Sequence, residues 1–109
     1  MPNTQYRQGD VFIIRRDEDL PKGLKEVPRD KGRVVLAYGE VTGHAHAIED
    51  RNVKLFRDPK LAEMFMMVTG DAPAALEHEE HSRIDLPPGN YQIIIQREYS
   101  PEAIRNVAD

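Results

Sequence analysis

The side chains best suited to chemistry form two tight pairs, His44/His46 and His78/His81, and these are all four of the histidines in the chain. The first pair lies in Gly43-His44-Ala45-His46-Ala47-Ile48. On a strand, positions i and i+2 point to one face. Two imidazoles about 6–7 Å apart on that face can chelate one metal ion. Ala45 and Ala47 leave room on the opposite face, and Gly43 lets the backbone bend. The second pair brackets Glu79-Glu80. His78 and His81 diverge on a regular strand but share a face on a helix. A bulge or turn at Glu79-Glu80 would also bring them together. Their i, i+3 spacing is not the i, i+4 spacing of helical zinc proteases.

Three or four neutral imidazoles, joined by Glu77, Glu79 or Glu80, suit a divalent metal: Zn, Fe, Mn, Ni or Cu. The chain has no Cys, so thiolate sites, disulfides and cysteine nucleophiles are excluded. The expected ligands are His44, His46, His78 and His81. Glu77 or Glu80 is expected to orient a ring or replace one. With three ligands, one position stays open for water or substrate, and the metal would serve as Lewis acid or water activator. No residue pattern names a reaction. Arg97 and Tyr99, in Gln96-Arg97-Glu98-Tyr99, are candidates for anion or substrate contacts at the mouth of the site.

The same residues allow a second function class. Carboxylates beside a histidine raise its pKa, so the clusters would change charge near neutral pH. The protein would then be a non-catalytic interaction module, either a homo-oligomer or an accessory protein of a larger assembly. An edge strand at 91–97, rich in Ile, would pair between subunits.

These residues need elements to position them. Asp10–Arg15, Arg33–Tyr38, His44–Ile48 and Val53–Phe56 read as strands, with Asp50-Arg51-Asn52 as a turn. Asp58-Pro59 carries the signature of a helix start. The run Phe65-Met66-Met67-Val68 reads instead as a buried strand, so a turn over 57–61 and a strand over 62–68 are expected, its methionines filling core. Ala74–Glu77 leads into the second histidine pair, and Arg83–Leu86 alternates. Pro87-Pro88-Gly89-Asn90 is a strong turn before the clearest strand, 91–97. Residues 1–8 read as a polar arm and 17–33 as a long charged loop. Ser100-Pro101-Glu102 starts a C-terminal helix over 100–109. The pattern predicts one all-β domain spanning 1–109, a small antiparallel barrel or sandwich of about six to eight short strands with that helix appended.

Composition narrows the setting. The chain has 109 residues, enough for one modest core. Fifteen Lys and Arg face nineteen Asp and Glu, a formal charge of −4. That balance argues against a dedicated nucleic-acid or anionic-membrane surface. The basic stretch from Lys22 to Arg33 lacks interleaved aromatics, which argues against a nucleic-acid groove. No apolar run is long enough to span a bilayer and no secretory leader is visible, so a cytoplasmic location is expected.

Two resemblances rest on these motifs. Gly39, His44, His46 and Glu49 resemble the first motif of the cupins, and Pro87-Pro88-Gly89 is similar to the turn of their second. That resemblance implies a double-stranded β-helix with a metal inside. In the cupin second motif the ligand histidine follows the turn, whereas here His78 and His81 precede it. Gly43-His44-Ala45-His46, His78-Glu79-Glu80-His81 and Gln96-Arg97-Glu98-Tyr99 together also resemble a short uncharacterised family of bacterial and phage proteins, which implies no activity.

Overall fold

The computed structural model describes residues 5–39 and 43–96. Ten strands form two antiparallel sheets, and no α-helix occurs among the described residues. In chain order they are β1 (Gln5–Gln8), β2 (Val11–Arg16), β3 (Lys25–Glu26), β4 (Val34–Tyr38), β5 (Ala45–Ile48), β6 (Val53–Arg57), β7 (Met64–Val68), β8 (Ala74–Glu77), β9 (Ile84–Leu86) and β10 (Gly89–Ile95). One sheet runs β1-β2-β10-β7-β6-β3 and the other β4-β5-β8-β9. The all-β, sandwich-like expectation therefore holds. The expected C-terminal helix and residues 97–109 lie outside the described residues.

Strand patterning explains the core. Val11 and Ile13 on β2, Val53 and Leu55 on β6, and Tyr91 and Ile93 on β10 alternate inward and are buried. They meet Leu36, Ile48, Leu76 and Leu86 of the other sheet in one apolar cluster. Phe65, Met66 and Val68 are buried on β7 and Met64 packs against the core, as expected, whereas Met67 is only half-buried. The helix-start signature at Asp58-Pro59 resolves into a turn. Asp58 Oδ1 accepts the N–H groups of Lys60 and Leu61, and the next residues enter β7. A helix here would tear apart the five-residue register between β6 and β7.

Several expectations need correction. Residues 5–8 are not an arm: they form β1, paired along its length with β2. The 17–33 segment is not all loop, since β3 pairs with β6 and Asp30 bridges to Arg33. These additions, with Ala74–Glu77 as β8, raise the count from about six to eight to ten. Neither β1 nor β3 carries alternating apolar residues, because both are sheet edges with little to bury. The strand at 91–97 is no edge: β10 lies between β2 and β7. In the two sheets β2 pairs with β10, β5 with β8 and β6 with β7, and β4–β5, β6–β7 and β8–β9 are sequence-adjacent hairpins within a sheet. No helix among the described residues is long and apolar enough to cross a membrane.

Candidate metal centre

Three chain segments meet at one end of the sandwich. They are the β1–β2 connection, the start of β5, and the 78–82 segment between β8 and β9. The two histidine pairs converge there. His78 is the hub, with its ring centroid 4.3 Å from that of His46, 4.7 Å from His81 and 5.8 Å from His44. His46 and His81 stack at 5.8 Å with 16° between their planes. The 78–82 segment is neither strand nor helix, so the pair is joined by the turn at Glu79-Glu80.

Hydrogen bonds orient the rings. His46 is buried, and its Nδ1 lies 2.8 Å from Gln8 Oε1. The Gln8 amide nitrogen donates to the carbonyls of Leu76 and Ser82, which fixes the amide so that its oxygen faces His46. His46 Nδ1 is thereby the donor, and in the neutral ring Nε2 carries the lone pair. That Nε2 lies 3.7 Å from Asp10 Oδ1. His44 repeats the pattern, with Nδ1 3.1 Å from Glu80 Oε2. Carboxylate or amide acceptors on Nδ1 are the usual way a protein presents Nε2 of a ligand histidine. His78 differs: its Nδ1 accepts the Glu80 N–H at 3.0 Å.

Glu79 completes the group. One ligand atom from each of His44, His78 and Glu79 lies within 4.8 Å of the others. The Glu79 carboxylate accepts the Ala45 N–H at 2.9 Å. That bond and its own backbone N–H hold the carboxyl below the usual glutamate range; burial opposes them, and the nearby His44 and His78 add a smaller lowering.

Of the residues expected from sequence, His44, His46, His78 and His81 stand together, and Glu80 is the acceptor on His44. Glu77 does not join them. It pairs with Ala47 across β5 and β8 and so faces the outer side of the four-stranded sheet, one residue out of phase with His78. Arg97 and Tyr99 lie outside the described residues. Sequence reasoning missed Gln8 and Gly9. A Cβ on Gly9 would stand 2.7 Å from His81 Nε2 and 3.3 Å from His46 Cε1, and the backbone there has φ +58°. The only signal was a Gly-Asp turn between Gln8 and the β2 run, and its contacts are made some 70 residues away. Gly39 is constrained similarly, since a Cβ would sit 2.9 Å from that of His44.

No curated protein and no solved structure matches the chain. Residues 7–96, which include every described residue of the imidazole cluster, match the family described as Domain of unknown function (DUF8820), and the chain belongs to that family.

Proposed function

We propose that this protein binds one divalent transition-metal ion in the imidazole cluster, with His44, His78 and Glu79 as the central ligands and His46 and His81 beside them. The observation that carries the reading is the approach of three ligand atoms, one from each central residue, to within 4.8 Å of one another. Ligand atoms about 2.0–2.1 Å from a tetrahedral ion stand roughly 3.3 Å apart, so closure needs movements of about 1 Å. Two imidazoles and a carboxylate with open positions suit Fe(II), and three imidazoles suit Zn. An open position would let the ion act as Lewis acid or water activator.

His78 sets a condition on loading. Its Nδ1 holds the Glu80 N–H. A metal at Nδ1 displaces that bond. A metal at Nε2 shifts the ring proton to Nδ1 and also breaks it. The turn at 79–80 must therefore re-form around the ion.

Chelator-treated protein titrated with Zn, Ni, Mn and Fe(II) tests the proposal. One ion per chain is expected. Free metal at about 100 times Kd adds about 2.7 kcal/mol, a rise in Tm of roughly 10–20 °C for a domain of this size. His78→Ala and Glu79→Gln should each weaken binding at least about tenfold. No stoichiometric metal and no thermal shift with any of the four would overturn it, and the interaction module would then be the better reading.

A further inference from the structure

The outer face of the four-stranded sheet holds a cavity of about 270 Å³. Ala45 and Ala47 line it as a floor of two methyl groups. Arg33, Glu49 and Glu77 also line it. The register explains their meeting. Val34 pairs with Ile48 and Ala47 with Glu77, so Arg33 and Glu49 fall opposite one another on the face that Ala47 and Glu77 share. His78 and Glu79 line the cavity too, and they belong to the imidazole cluster. The cavity therefore abuts the candidate metal position. Among the described residues, no hydrogen bond or ion pair engages the side chains of Glu49 or Glu77, and the Arg33 side chain makes neither, its charge acting on the Tyr38 hydroxyl nearby.

We infer that this cavity is the ligand pocket of the metal centre, and that it takes a small molecule carrying both a carboxylate and an ammonium group, the amino-acid class. The inference rests on the proposed metal reading for its link to chemistry. The Arg33 guanidinium is a fork for a carboxylate. Glu49 and Glu77 supply charge for an ammonium; Glu79 is taken by the ion, so two carboxylates face one guanidinium in the rest of the lining. The volume lies below the 300–1,000 Å³ of drug-sized pockets, so the ligand is small. The two alanines leave the floor open; larger side chains there would occupy the space.

The test is an NMR titration of the zinc-loaded full chain with β-alanine, γ-aminobutyrate and δ-aminovalerate, beside butyrate and butylammonium. At least one amino acid should shift the amides of Ala45, Ala47 and Glu77 and bind at least about tenfold tighter than both single-charge probes. Arg33→Gln and Glu77→Gln should each weaken that amino acid about tenfold while leaving zinc stoichiometry at one. If no amino acid binds zinc-loaded protein, or butyrate or butylammonium binds as well, the ligand class is overturned and the metal reading stands. If the chain takes no zinc yet still selects the amino acid, the ligand class stands and the metal reading falls.

Discussion

Gln8 and His46 show how a buried polar pair is kept in register. Gln8 donates twice and accepts once, so its amide has a partner on each side. Replacing it with Leu leaves two carbonyls and the His46 Nδ1–H without these bonds in a buried place. The expected cost is about 2–3 kcal/mol in urea unfolding; an unchanged midpoint would show that the network contributes nothing. Gly9 is constrained differently. Gly9→Ala adds about 1–2 kcal/mol of left-handed strain and pushes a methyl into His81. It should lower the urea midpoint and weaken metal binding together. None of this was legible in Gln5-Tyr6-Arg7-Gln8, which reads as polar and solvated, because the partners of Gln8 lie 38, 68 and 74 residues along the chain.

At the scale of elements, the turn between β6 and β7 shows local chemistry and register in competition. Asp58-Pro59 has helix-start chemistry, and Asp58 does cap the following N–H groups. The hairpin pairing simply leaves no length for a helix. Those N–H groups of Leu61 and Lys60 hold the Asp58 carboxyl below its ordinary value of 3.8. Its folded-state pKa is thus depressed. The stabilisation is present above the ordinary value and is lost as pH falls through the folded one. Asp58→Asn keeps an acceptor oxygen but cannot titrate. Its stability should fall less than that of the parent protein between about pH 4 and pH 2, measured as urea midpoints; parallel curves would refute the assignment.

Across the whole molecule, the imidazole cluster is where the two sheets meet through polar groups. Gln8 and Asp10 come from the end of β1 and the turn before β2, whereas the histidines belong to the start of β5 and the segment after β8. A bound ion would tie the 78–82 segment to β5, and through His46 and Gln8 to the β1–β2 turn. Zinc should therefore slow amide hydrogen exchange at Gln8, His46 and residues 79–82 and leave the β6–β7 hairpin unchanged. Uniform slowing across both sheets would instead mark global stabilisation alone.

The sequence by itself determined the class of the fold and the donor types that any metal ion could meet. Short β-branched or alternating runs and turn residues specify strands, since the apolar run Val11-Phe12-Ile13 and the alternation of Tyr91-Gln92-Ile93 are local properties. The lack of Cys restricts the donors to imidazole and carboxylate. Only the tertiary structure decided that the two histidine pairs share one cluster. It also decided that Glu79 belongs to it and Glu77 does not, and that Gln8 and Gly9 close around it. Those outcomes depend on sheet register and on the turn at Glu79-Glu80. A shift of one residue sends a side chain to the other face, and no local pattern around Glu77 fixes that phase.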